Sequence, residues 1–418
     1  MKSVRQGYKM TELGEIPEEW KIVNLEEVIN EFIVPMRDKP KVFDGDIPWC
    51  RIEDIEGNYL NGNKESRFVS EKTIKEMNLK VFPQGTLIAS CSATLGVYAI
   101  NTTPLITNQT FIGLVPSEKI NVNYLLYYMN TTTDRLKNIA SGTTIPYISR
   151  QKFEKFKIVL PNIEEQEKIA SILSTVDEQI DNIDALIEKN KELKKGLMQT
   201  LLTKGVGHTK FKKTEVGEIP EEWEVKKVGD ICEVKGGKRL PKGYQLEDED
   251  NAFPYIRVAD MYMGGIRQDD IKYVPKDIVD KIKNYKISKD DLFISVAGTL
   301  GIVGQVPYEL DGANLTENAD KLCNIQINKL YLMKVLQSNI IQSIIEAEQT
   351  KSAQPKLALT RIKEFLIPVP SDTEQVKIAS ILVEVDEKIE KYQNKKQKLE
   401  ELKKGLMQKL LTGEIRVC

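Results

Sequence analysis

Two long stretches of the chain carry apolar residues at alternating spacings of four and three. Ile169, Leu173, Val176, Ile180, Ile183 and Ile187 form the first series; Ile378, Leu382, Val385, Ile389 and Tyr392 form the second. This spacing is the seam of a coiled coil. It predicts helices over residues 164–203 and 373–412, each free of proline and each holding one glycine, Gly196 and Gly405. At ~1.5 Å per residue such a helix is ~60 Å long. Helices of this length need a partner along the apolar face. The seam continues through Asn190 in the first helix and through Lys396 and Leu399 in the second. A polar seam residue fixes register and partner choice at some cost in stability.

Before each helix the period changes. Residues 87–90, 111–115 and 156–160 are short apolar runs bounded by Gly, Pro, Asn or Ser, and residues 292–296 and 365–369 are their relatives further on. Runs of this length and punctuation predict strands. Helical spacing over 122–138 and 330–348 predicts shorter helices. The chain therefore reads as α+β: a globular domain over 1–161, a helix over 162–204, a second globular domain over 205–370 and a second helix over 371–418.

The second half repeats the first. TELGEIPEEWKIVNLEEV (residues 11–28) returns as TEVGEIPEEWEVKKVGDI (214–231), and IPWCRIEDI (47–55) as FPYIRVADM (253–261). LIASCSATLGVYAI (87–100) returns as FISVAGTLGIVGQV (293–306), and EEQEKIASIL (164–173) as TEQVKIASIL (373–382). LKKGLMQTLLTKG (193–205) returns as LKKGLMQKLLTGE (402–414). The offset drifts only from 203 (Thr11 to Thr214) to 209 (Glu164 to Thr373). Residues 29–46 and 232–252 diverge, so a constant frame carries variable loops, as suits two related binders with different targets. The linker KFKKTEVGEIP (210–220) resembles the opening GYKMTELGEIP (7–17). The N-terminus is therefore expected beside the end of the second long helix.

Composition narrows the chemistry. No early segment reads as a signal peptide and no stretch of about 18 apolar residues is present, so the expectation is a cytoplasmic protein with no membrane contact. The five cysteines include no C-x-x-C pair, which argues against a zinc site or a disulfide framework. The single histidine, His208, cannot supply a His-based metal cage or a Ser-His-Asp arrangement, and it reads as a solvated loop residue. There is no G-x-x-x-x-G-K-[ST] phosphate loop, no Asn-Pro-Pro or Asp-Pro-Pro, and no nuclease carboxylate set. Asp372, Glu374 and Lys377 lie at a helix start, where carboxylates meet the helix dipole. Net charge is −2, so any nucleic-acid contact must come from local patches.

Two globules, each followed by a long helix ending LKKGLMQ-x-LLT, resemble the specificity subunit of type I restriction–modification enzymes. GEIPEEW (14–20, 217–223), EQ-x-KIASIL (165–173, 374–382) and the two LKKGLMQ tails carry the resemblance, which covers the whole chain. It implies that each globule is a target recognition domain reading one half of a split, asymmetric site in double-stranded DNA. The two helices would pair antiparallel as a ruler with a pseudo-two-fold axis. Two methyltransferase subunits would dock on them, and motor-nuclease subunits would join. The chain itself would be non-catalytic and hold no cofactor; S-adenosylmethionine, ATP and magnesium would belong to the partners.

Base edges and phosphates are read by polar side chains, cations and open backbone N–H groups. Three regions of each half qualify. The first is the variable loop: Arg37, Lys39 and Lys41, and in the second half Lys235, Lys238, Arg239, Lys242 and Tyr244, where Gly236 and Gly237 would let backbone approach a phosphate. The second is the Thr-Leu-Gly turn, with Ser92, Thr94 and Thr299. The third is SGTTIPY (141–147), with Thr143 and Thr144, against TKSAQPK (350–356), with Lys351, Ser352 and Gln354. Arg67, Arg267 and Gln268 are further candidates. Lys194, Lys195, Lys403 and Lys404 complement a helix dipole. Leu197, Met198, Leu406 and Met407 read as surface for helix pairing or subunit docking. A second reading is a coiled-coil scaffold whose globules bind protein or sugar; it leaves the loop divergence unexplained.

Overall fold

A computed structural model describes residues 4–35, 39–142, 145–349 and 355–417. The chain divides into two compact units, Met1–Ala185 with Asn394–Cys418, and Leu186–Gln393. Each holds one mixed α+β globule and a stretch of both long helices.

In the first unit a five-stranded sheet runs in the order Ile29–Ile33, Phe111–Pro116, Leu87–Ser90, Tyr98–Asn101, Tyr59–Leu60. All neighbours are antiparallel except the last pair. A smaller sheet joins Ile106–Thr107, Ile47–Cys50 and Phe68–Val69. The helical span expected over 122–138 is two helices, Val122–Thr131 and Thr133–Ile139. Hydroxyls cause the break: Thr131 and Thr132 donate back to the Tyr128 and Met129 carbonyls, an alternative to the helical ladder. This hairpin and the sheet bury Trp20, Leu87, Ile112, Tyr124, Leu125 and Leu126 in one core.

The second unit repeats the plan. Its main sheet is Glu233–Gly236, Ala319–Cys323, Leu292–Ser295, Val303–Gln305, and its smaller one is Lys272–Tyr273, Pro254–Ile256, Ala313–Leu315, Lys286–Ile287. The span expected over 330–348 again splits, into Lys329–Gln337 and Asn339–Gln349, at Ser338, whose hydroxyl bonds the Val335 carbonyl. Ser90 Oγ accepts from Val97 N (2.9 Å), as Ser295 Oγ accepts from Ile302 N (2.8 Å). The local offset is therefore 205, one less than the pairing of Leu87 with Phe293 implies; strand alternation rules out the slip, which would turn every side chain to the other face.

The long helices are Ile163–Lys204 and Asp372–Leu410. They run antiparallel within each unit. In the first, Asp177 meets Lys403 (2.5 Å) and Asp184 meets Lys396 (2.6 Å); in the second, Lys194 meets Asp386 (2.5 Å). The numbers in every pair sum to 580 (177 and 403, 184 and 396, 194 and 386), so one register serves both units. Val176, Ile183, Ile187, Asn190, Val385 and Leu399 are buried along the seam, whereas Ile180, Ile389 and Tyr392 are half-buried. The stripes do not end as seam. Ile169 and Leu173 belong to the first globular core, with Leu406 and Met407 packed against it; Ile378 and Leu382 belong to the second, with Leu197 and Met198 packed against it. Hydrophobic burial is non-directional, so one stripe serves a helix partner at its middle and a globule at its end.

The chain closes on itself in the first unit. Tyr8 donates to the Gly413 carbonyl (2.7 Å), as the repeated linker leads one to expect. Arg416 grips Glu165 (2.7 Å) and Glu19 (3.0 Å). No described helix is long and apolar enough to cross a membrane.

Candidate nucleic-acid interface

In the second globule the variable loop, the stretch before the Thr299 turn and the end of the third region at Lys356 meet at one end of the main sheet, around residues 315–319. The variable loop is tied there by Gly237 N to Ala319 O (3.0 Å) and Lys238 N to Leu315 O (2.8 Å). The stretch before the Thr299 turn joins it through Val296 N to Asn318 O (2.7 Å), and the third region follows through Leu357 N to Val296 O (2.9 Å). Thr299, Lys238, Arg239, Lys242 and Tyr244 are exposed. The Lys238 ammonium lies 5.6 Å from the Tyr285 ring centre and Lys281 lies 5.3 Å from that of Tyr244. Lys235 is held by its neighbour Glu233 instead. Gly237 is required by internal packing: a Cβ there would fall 2.0 Å from the Thr316 carbonyl oxygen. Its close backbone approach is to the fold's own strand, in place of the phosphate approach expected for it.

The first globule joins two of the three regions in the same way. Ala93 N donates to Pro146 O (3.0 Å) and Ile148 N to Cys91 O (2.8 Å), which joins the Thr94 turn to the third region, and Ser92 bridges to Tyr147. Cys91 N reaches Thr110 O (2.7 Å), bringing in residues 108–110. Beside it, Trp49 sits among cations: Lys39 at 5.4 Å, Arg67 at 5.6 Å and Arg51 at 5.9 Å from the ring centre. Arg67 also pairs with Glu65, and its Nη1 is buried without a hydrogen-bond partner. Lys41 and Thr94 are exposed. Arg37, Thr143, Thr144, Lys351, Ser352 and Gln354 lie outside the described residues.

Arg267 does not join these clusters. It lines a cleft beside the long helices, with Tyr262, Lys195 and Met198. Sequence reasoning missed Gln109, which is exposed on the loop that Cys91 joins, and its counterpart Glu317. The polar triplets NQT (108–110) and TEN (316–318), which hold the same place before their strands, were the available signal. It also missed Arg51 and Arg257, whose backbone N–H groups donate to Asp54 (2.7 Å) and Asp260 (2.8 Å) in equivalent turns.

Two further expectations are corrected. His208 is not a solvated loop residue: its Nε2 lies 3.0 Å from Glu374 and its ring packs edge-on against Trp223. Glu374 in turn does more than face a dipole, since it accepts from Trp223 Nε1 (3.0 Å) and Val206 N (2.9 Å). Glu165 does the same in the first unit, accepting from Trp20 Nε1 (2.9 Å) and from Arg416, which takes the place of His208. Gln166 and Gln375 are buried, donating to the Pro161 (3.0 Å) and Pro370 (2.9 Å) carbonyls. Both letters of the repeated EQ thus seal the joint between helix and globule.

Burial pushes the Cys50 and Cys232 thiols up to about 12, so neither is a thiolate at neutral pH. Among the described residues no group of three or more His, Cys, Asp or Glu could hold a metal ion.

The family described as the type I restriction modification DNA specificity domain matches residues 17–194 and 220–401. The chain is 27% identical to the type I restriction enzyme MjaIX specificity subunit of Methanocaldococcus jannaschii, over 98% of this chain and 96% of that one. It is 30% identical to the putative MjaX specificity subunit of the same organism, over 99% and 97%. Among solved structures it shares its fold with a type I restriction–modification S subunit from M. genitalium (TM-score 0.61, 20% identity, 96% and 97% covered). It also shares it with a chain from a study of type I complex assembly (TM-score 0.52, 17% identity, 96% and 99% covered).

Proposed function

The chain belongs to the type I restriction–modification DNA specificity family, and from that premise we propose that it selects the DNA sequence on which its partner subunits act. Each globule reads one half of a split, asymmetric site in double-stranded DNA. The regions 1–161 and 205–370 serve as recognition domains, and 162–204 and 371–418 as the spacer between them. Two methyltransferase subunits and the motor-nuclease subunits supply the chemistry in the cytoplasm, together with S-adenosylmethionine, ATP and magnesium. This chain supplies the address.

One observation carries the reading. Each globule gathers divergent, exposed polar loops at one end of a sheet, while the joints to the helices repeat Trp20, Glu165 and Gln166 as Trp223, Glu374 and Gln375. Lys238, Arg239, Lys242 and Tyr244 give the second cluster a cationic and aromatic surface; Lys39, Lys41 and the exposed Phe43 do so for the first, with Arg67 6.0 Å from the Phe43 ring centre. Such groups suit phosphate contact and base stacking. The acidic whole does not oppose this, because affinity is set by local cations.

The test is a methylation-site map of the complex reconstituted with its methyltransferase, with duplex binding measured from low to high salt. A two-part site is expected. The double charge reversal K238E/R239E should weaken binding at least about tenfold and flatten the salt dependence, each lost phosphate contact lowering the slope by about 0.9. Methylation without sequence preference, or a variant that binds as tightly as the parent, would refute the assignment; a protein- or sugar-binding scaffold predicts no DNA shift at all.

A further inference from the structure

Asp177 and Asp386 occupy the same place in the two units, 209 residues apart like Leu193 and Leu402. Asp177 projects from the first long helix. It meets Lys403 of the second helix (2.5 Å), the Tyr127 hydroxyl of the helical hairpin (2.7 Å) and Asn58 Nδ2 of the globule's edge (2.6 Å). In the other unit the helices exchange roles. Asp386, on the second long helix, meets Lys194 of the first (2.5 Å) and Lys334 of the corresponding hairpin. Each carboxylate therefore touches three bodies at once: both rods and the globule they carry.

Apolar packing at this joint is broad and non-directional, so it tolerates small rotations. A charge-assisted hydrogen bond does not, because it is short and angular. Lys334 is 3% exposed, so moving it away from Asp386 would leave a buried charge unpaired, a costly state. The first globule uses a tyrosine hydroxyl where the second uses a lysine, yet both converge on the same aspartate. Two different solutions to one contact mark the contact as the thing maintained.

We propose that Asp177 and Asp386 are positioning residues: they set the angle at which each globule sits on its helix pair, and so the spacing between half-sites that the complex accepts. This rests on the function proposed above and adds a determinant of site geometry that touches no DNA.

The experiment uses Tyr127→Phe combined with Asn58→Leu, which together remove the first globule's two hydrogen bonds to Asp177, and Lys334→Met, which removes the second globule's bond to Asp386. The helix-to-helix ion pairs stay. Lys396→Met is the control, since it removes a helix-to-helix bond that touches neither globule. Complexes with the methyltransferase are offered duplexes whose spacer is native, one base pair shorter or one longer. The wild type and Lys396→Met should reject the wrong spacers alike. The Tyr127→Phe/Asn58→Leu double variant and Lys334→Met should keep the same half-site sequences but discriminate about tenfold less, equivalent to about 1.4 kcal/mol. General destabilisation would lower methylation of all duplexes together. Unchanged discrimination in both grip variants overturns the proposal. A second readout is independent of DNA: spin labels at Glu71 and Glu401, both in the first unit, should report a broader distance distribution in Tyr127→Phe/Asn58→Leu than in the wild type. An unchanged distribution overturns the proposal even if no split site is ever found; a broadened one together with reduced spacer discrimination supports it, and a broadened one with unchanged discrimination overturns the link to half-site spacing.

Discussion

At the scale of single residues, the two halves differ most where one has changed a buried contact. Asp320 is such a place. The strand register gives it the position held by the buried Ile112 in the first globule, and it is only 5% exposed. Burial raises its pKa from 3.8 to about 6, with Lys356 opposing the rise. A carboxyl raised in the folded state contributes its full stability below pH 3.8 and loses it as pH climbs through 6. Near pH 7.5 the ionised group should cost the second unit about 2–3 kcal/mol. Asp320→Asn should therefore unfold at a higher temperature than the parent at pH 7.5, with the gap closing toward pH 4.5. A gap that stays constant with pH would show that the carboxyl's charge is not the cause.

At the scale of elements, the long helices are stronger in tertiary contacts than in intrinsic propensity. Gly196 and Gly405 sit inside them at equivalent positions, and a Cβ at either would meet nothing within 4 Å. Glycine in a helix interior costs about 1 kcal/mol relative to alanine. Gly196→Ala and Gly405→Ala should each raise the denaturation midpoint accordingly. If either lowers it, the open space assigned to that helix face is wrong. If either stabilises the chain yet weakens methyltransferase binding, that glycine marks partner surface. The shorter helices show the opposite balance. Their apolar spacing runs on through Thr132 and Ser338, but a hydroxyl bonded back to a carbonyl ends the ladder and turns the chain.

At the scale of the molecule, the common register of the ion pairs governs how any ruler could be altered. Deleting residues from one helix alone would slip it against the other and break the sum of 580 that Asp184–Lys396 and Lys194–Asp386 obey. A matched deletion of 183–189 and 391–397 removes one heptad from each and keeps the remaining pairs facing. It shortens the rods by about 10 Å, close to three base pairs at ~3.4 Å each. The methylated site of that variant should have a spacer about three base pairs shorter with unchanged half-sites. An unchanged spacer would mean that the helices do not measure it.

Much of this design is legible in the amino-acid sequence. The duplication, the α+β class, the two long helices and the meeting of the chain's ends follow from periodicity and repetition. These are local properties, because a 4-3 pattern or a repeated GEIPEEW needs no neighbour to be recognised. What the tertiary structure decided are the contacts between residues far apart in number. It joined the Thr94 turn to Tyr147, gave Glu165 and Glu374 their tryptophans, drew His208 out of solvent and sent Arg267 to the helix side. It also reassigned both ends of each apolar stripe from helix pairing to a globular core. Hydrophobicity says that a face must be covered; only the folded chain, by closing loops of a hundred residues and more, says by what.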